Sequence, residues 1–159
     1  MIFVMLGTQN NSFHRLLEKI EECIDKNIIN DSVVVQSGNT EYKSDKMKLY
    51  DFLSSDEMNK NISDADYIIT HGGVGSIIDA LNKNKKVIAV SRKAKYKEHV
   101  NDHQIQIVQE FNSKGYIIGI DDVDNLEEAI SKIDDFHPNK YMSNNKNFVK
   151  IIEEYIDNN

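Results

Sequence analysis

Apolar residues along this chain alternate between two patterns. Short runs are almost wholly apolar: Ile2–Leu6, the "SVVVQ" stretch Ser32–Gln36, Tyr67–Thr70 and Lys86–Val90. Runs of this kind predict strands buried on both faces. Leu49–Leu53 and Tyr116–Ile118 predict two further short strands. Between the runs, apolar residues recur every three or four positions. Phe13, Leu16, Leu17, Ile20 and Ile24 mark a first helix, with Ser12 placed to cap it. Ser54 or Ser55 caps a second helix that reaches about Ile62. Further helices are predicted over Ser76–Asn82, His99–Phe111 and Val123–Ile133. After Pro138 the chain turns Asn- and Lys-rich, then carries an apolar stripe of Phe148, Ile151, Ile152, Tyr155 and Ile156. This alternation predicts an α/β domain, a parallel sheet with helices on both faces. Residues 1–159 form a single domain on this reading, with 137–159 as a tail bearing an amphipathic helix.

Composition narrows the function classes. A formal net charge of -7 argues against a general nucleic-acid binder, which needs a basic surface. Lys83–Lys97 is locally basic all the same. The one cysteine, Cys23, permits no intrachain disulfide and fits a reducing compartment; beside Ile20 and Ile24 it reads as core. The opening "MIFVMLGTQN" is too short for a leader or a membrane span, and no later run is long enough to span a bilayer. The expectation is a soluble domain that reaches a membrane only through a partner.

In parallel sheets, ligands sit beyond the carboxyl ends of the strands. Three loops lie there. The first, "GTQNNS" from Gly7, lacks both the G-x-G-x-x-G dinucleotide fingerprint and a P-loop. Gly7 and Thr8 can still present backbone amides to an anion. The second, "HGGVGS", concentrates three of the chain's seven glycines, Gly72, Gly73 and Gly75, between a strand and a helix. Glycine lets a ligand touch the backbone, and a helix N-terminus favours negative charge, so diphosphate suits this turn. Ser76 adds a hydroxyl, and Asp79, one turn on, suits ribose hydroxyls. A plain tight turn with a capped helix is the alternative. The third loop carries Asp102, His103 and Gln104, polar groups suited to sugar hydroxyls, or else a solvated helix start. His99 and His103 are four apart, a spacing that can share a metal, but no third ligand is evident.

Taken together, "FVMLGTQ", "ADYIITHGGVGSIIDAL", "KKVIAVSR", "EHVNDHQ" and "GYI" resemble the small catalytic subunit of bacterial two-component glycosyltransferases for capsule and exopolysaccharide. They are also similar to the soluble subunit of the dolichol-pathway GlcNAc transferase. Both resemble the C-terminal half of GT-B enzymes of glycosyltransferase family 28. The resemblance covers about residues 1–120. It implies a Rossmann-like fold and a UDP-sugar donor, with no cofactor besides that substrate. By motif position it implies that Gly72, Gly73, Val74 and Ser76 form the diphosphate turn, and that Asp79 contacts ribose. Asp102 and Gln104 then stand near the donor sugar, and Gly7, Thr8 and Gln9 form the first glycine-containing loop. His71 and His103 join the donor-site set. Ser91 stands where such proteins often carry Pro.

The resemblance further implies inverting, metal-independent transfer to a lipid-linked saccharide acceptor. A membrane-anchored Rossmann-like partner then supplies the acceptor site, and the chain is cytoplasmic, peripheral at the inner membrane face. Inversion needs a general base. His14 is the best local candidate, with His71 next. Two other classes stay open: a non-catalytic nucleotide-binding module, and a Rossmann-like protein for a different nucleotide.

Overall fold

The fold is given by a computed structural model, which describes residues 1–142, 150 and 152. Six strands build one sheet: β1 (Ile2–Met5), β2 (Val33–Gln36), β3 (Lys48–Tyr50), β4 (Tyr67–His71), β5 (Val87–Val90) and β6 (Ile118–Ile120). All neighbours pair in parallel, in the order β3-β2-β1-β4-β5-β6. This is the doubly wound order, whose direction reverses between β1 and β4. Phe3 stands opposite both Val34 and Ile68 in the register there.

Side-chain alternation along the central strands makes two cores. Ile2, Val4 and Leu6 point to one face with Val33, Val35, Ile69, Ile88 and Val90. Helices α1 (His14–Asp25) and α5 (Leu126–Ile133) cover that face, through Leu16, Leu17, Ile20, Leu126 and Ile133. Phe3, Met5, Ile68, Val87 and Ala89 point to the other. Helices α2 (Ser55–Asp64), α3 (Val74–Asn82) and α4 (His103–Ser113) cover it with Ile62, Ile77, Ala80, Val108 and Phe111. Both faces of β1 are closed, so its run is continuously apolar rather than alternating. Cys23 lies buried in the first core, where loss of hydration pushes its thiol up to about 11.

Several boundaries differ from the sequence expectation, each for a local reason. β3 ends at Tyr50, and Phe52 and Leu53 lie beyond it. Their apolar character belongs to a ligand-sized cavity described below. β6 begins at Ile118; Tyr116 and Ile117 are buried in the turn after α4 instead. α4 begins at His103 rather than His99, because a 3₁₀ turn at Ala94–Tyr96 and a left-handed Lys97 occupy the approach. α2 starts as predicted, with Ser54 in a reciprocal capping box with Glu57. Ser12 does not cap α1. The cap position is Phe13, which has no side-chain cap; its buried N–H donates 2.9 Å to Thr40 Oγ1 from the loop after β2. In the tail, Ile152 is buried in the second core. Phe148, Ile151, Tyr155 and Ile156 lie outside the described residues. Among the described residues, no helix is long and apolar enough to cross a membrane.

The Thr40 contact is testable. Thr40→Val keeps the shape but leaves the Phe13 N–H buried without a partner. It should cost about 1–3 kcal/mol by urea denaturation, whereas Ser12→Ala should change stability by under about 0.5 kcal/mol.

Candidate functional site

The carboxyl ends of β1 and β4 open into a cavity of about 410 Å³. Gly7, Thr8 and Gln9 line it from the loop after β1, and Gln36 from the end of β2. His71 lines it from the end of β4, and Gly73, Gly75, Ser76 and Asp79 from the start of α3. Phe52, Leu53 and Met58 close one side with apolar surface, and Phe52 is 55% exposed. The rim is tied down. Gly7 N–H donates to Gln36 Oε1 at 3.1 Å, and Gln36 Nε2 returns a bond to Gly7 O at 2.9 Å. Asn39 Nδ2 donates to Thr8 O and Gln9 O, and Asn11 Nδ2 to Lys97 O.

The glycines of the turn have different tasks. A Cβ on Gly72 would meet Val108 Cγ2 at 2.8 Å, so this residue lets α4 pack against the turn. A Cβ on Gly73 would meet His71 Cε1 at 2.4 Å. Gly7, at φ +76°, makes the same approach from the other loop, 2.4 Å from His71 Nε2. The imidazole therefore lies between two glycine backbones. At Gly75 a Cβ would meet nothing within 4 Å. That bare position faces the cavity. Gly73 is the N-cap of α3 and no side chain caps the helix, so its first-turn amides keep donors for a ligand.

His71 is 6% exposed, and its hydrogen bonds fix its chemistry. Gln104 Oε1 accepts from Gly72 N–H and Arg92 N–H, both at 3.1 Å. That orients the Gln104 amide group toward His71 Nδ1, at 3.2 Å. Arg92 Nε also faces Nδ1, at 3.3 Å, and a guanidinium can only donate. Nδ1 is thus an acceptor, and the ring proton sits on Nε2, 3.4 Å from Ser76 Oγ at the cavity. Burial, with the Arg92 and His99 charges adding, pushes the imidazole down to about 3, so it stays neutral.

Residues 1–157 match the glycosyltransferase family 28 C-terminal domain. The chain belongs to that family. Two relatives are each a UDP-N-acetylglucosamine transferase subunit ALG13. The Candida albicans protein is 35% identical over 77 residues, covering 48% of this chain and 25% of its own length. The Debaryomyces hansenii protein is 32% identical over 108 residues, covering 65% of this chain and 48% of its own. The chain therefore spans about half or less of these relatives. An NMR solution structure of ALG13 superposes with a TM-score of 0.60 at 19% identity, covering 94% of this chain and 93% of that one. The glycosyltransferase SnogD from Streptomyces nogalater gives 0.55 at 14% identity, over 98% of this chain and 39% of that one. These likenesses bear out the fold, the Rossmann-like C-terminal half of a GT-B glycosyltransferase.

Within this family 28 domain, the expected residues divide into cavity and support. Gly7, Thr8, Gln9, His71, Gly73, Gly75, Ser76 and Asp79 line the cavity. Gly72, Val74, Asp102, His103 and Gln104 are not among its lining residues. Gln104 is buried, with its amide engaged behind the turn rather than facing a sugar. Asp102 Oδ1 accepts the Ala94 N–H at 2.9 Å, and His103 N–H donates to Asn101 Oδ1. His99 Nδ1 accepts from the Asn101 N–H. His14 pairs with Glu18 at 2.7 Å and packs edge-on against Tyr42, in a separate surface depression. Sequence reasoning missed Gln36, Phe52, Leu53, Met58 and Arg92. The apolar Phe-Leu pair expected to end a strand was the one available signal for Phe52 and Leu53.

The two cavity glycines separate cleanly in experiment. Gly73→Ala should destabilise the fold by about 1–3 kcal/mol in urea denaturation, because the methyl group collides with His71. Gly75→Ala should be neutral or stabilising by up to about 1 kcal/mol, since it adds helix propensity in open space.

Proposed function

We propose that this chain is the donor-binding part of a UDP-sugar-dependent glycosyltransferase. The observation that carries the reading is a single cavity with two chemically distinct ends. Uncapped α3 amides and the His71 Nε2–H offer donors to a diphosphate at one end. Phe52, Leu53 and Met58 offer apolar surface to a nucleobase at the other. Asp79 lines the same cavity and suits ribose hydroxyls. The names of the yeast relatives support UDP-N-acetylglucosamine as the donor.

In the reaction, an acceptor oxygen bonds to the anomeric carbon as the bond to the β-phosphate oxygen breaks. The UDP leaving group takes the electron pair. Its developing charge is met by the preorganised α3 amides and by Nε2–H, without a metal. Attack from the opposite side inverts the anomeric centre. His71 presents a proton rather than a lone pair, so it does not serve as the base. His14 lies outside the cavity. The base and the acceptor site then belong to a membrane-anchored Rossmann-like partner, and the acceptor is a lipid-linked saccharide. On this reading the chain works in the cytoplasm, held peripherally at the inner membrane face. The capsule and exopolysaccharide setting rests on the sequence resemblance alone, since the relatives named above are yeast proteins.

Calorimetric titration tests the donor site. UDP should bind in preference to ADP and NAD. Gly75→Val, which adds bulk only toward the cavity, should keep the fold and weaken UDP by about tenfold or more, some 1.4 kcal/mol. Equal UDP affinity in a folded Gly75→Val protein would remove the site from consideration.

Transfer tests the division of labour. The purified chain should turn over a lipid-linked acceptor far below about 1 s⁻¹, and co-expression with the membrane-anchored partner should restore turnover, also in excess EDTA. Full-rate transfer by the chain alone would refute the two-component reading. Binding of UDP with no transfer beside any partner would favour the non-catalytic module.

A further inference from the structure

Arg92 is 1% exposed and sits directly behind the cavity wall. Its guanidinium donates to Leu6 O at 2.6 Å, Asn11 O at 2.7 Å, Glu98 O at 3.1 Å and His71 Nδ1 at 3.3 Å. All four acceptors are neutral. The nearby Glu98 carboxylate is taken by Arg15, at 2.6 and 2.8 Å, and by the Lys93 N–H. Neutral acceptors, the Phe13 ring 5.1 Å away and the field of a Glu98 shared with Arg15 compensate this buried cation only in part, and an anion in the cavity would add to that compensation. The outlet for its positive field is the His71 ring, whose other nitrogen meets Ser76 Oγ in the cavity lining.

We propose that Arg92 is the positioning residue of the diphosphate end. It fixes His71 as the Nε2–H tautomer and polarises that donor, so that a diphosphate is bound without a cation in the cavity itself. The proposal rests on the donor-site reading above. Hydrogen bonding to Nδ1 strengthens the opposite N–H through the shared ring, as in other polarised chains. Arg92 also ties the loop after β1 to β4 and β5 in a single contact set, so the two phosphate-facing loops move together. The charged and titratable groups around the pair are His99 and Glu98 on the loop after β5, Arg15 on α1 and Asp79 across the cavity on α3.

Two measurements decide it. Long-range ¹H–¹⁵N correlation spectra of the native full chain read the His71 tautomer directly. The expected pattern is a bare Nδ1 and a protonated Nε2, unchanged between about pH 5 and 8, where an ordinary histidine titrates. A proton on Nδ1, or titration in that window, overturns the proposal. Separately, Arg92→Gln should weaken UDP by about tenfold or more, the scale of a charge-assisted hydrogen bond, while uridine affinity changes less than about twofold. Arg92→Lys, which keeps the charge, should recover part of the loss. A parallel fall in uridine and UDP affinity would mark Arg92 as merely structural. If Arg92→Gln does not fold, the native spectrum and Arg92→Lys decide the matter. Failure of the native chain to bind UDP defeats the donor-site reading, whereas native binding that Arg92→Gln leaves intact defeats only this proposal.

Discussion

Close packing of one imidazole against two backbones governs the carboxyl end of this sheet. The 3-2-1-4-5-6 order makes β1 and β4 neighbours, so the loops that leave them face each other. The His71 ring fills the space between those loops, within 2.4 Å of where a Cβ on Gly7 or Gly73 would stand. Neither loop can carry a side chain at that position. From behind, the loop after β5 contributes Arg92 and α4 contributes Gln104 to the same ring nitrogen. Residues from β1, β4, β5, α3 and α4 thus converge on one ring. Its neutral state is a result of that convergence: burial and the adjacent guanidinium both disfavour a second proton.

How much of this was legible in the sequence depends on the range of the interaction involved. The strands of the sheet centre were legible because β1, β4 and β5 are buried on both faces, which forces continuous apolar runs. The edges were not. β3 is half-exposed, so its pattern is weak, and the stronger apolar signal at Phe52 and Leu53 comes from the cavity they line. Tyr116 and Ile117 misled for a similar reason, being buried in a turn. The partner of the Phe13 N–H ahead of α1 was illegible in principle, since Thr40 lies 27 residues away.

The glycine turn shows the same split within four residues. Three glycines signalled close approach of a ligand, and at two of them the structure shows close approach of the protein's own side chains. The sequence could not say what approaches each one. Gly72 admits α4, Gly73 admits a ring from its own domain, and Gly75 alone faces open space. Gln104 was expected near the donor sugar, and the structure shows its amide engaged inside the protein. Its amide joins the Gly72 and Arg92 N–H groups to His71, which shapes the cavity from behind.

The arrangement also bears on why a domain of this kind would work with a partner. A leaving group needs fixed donors, and such donors require rigid surroundings. Here the rigidity comes from burial: Arg92, Gln104 and His71 are each under 7% exposed and bonded to one another. A general base needs the opposite, a lone pair free to accept a proton near the attacking oxygen. The same hydrogen bonds that make His71 a dependable donor remove its lone pair from the cavity side. Among the cavity-lining residues the remaining titratable side chain is Asp79, set one turn into α3. On the proposed reading, holding the departing diphosphate and activating the acceptor impose conflicting demands on one small wall, and a second surface across the cavity would meet the second demand without loosening the first.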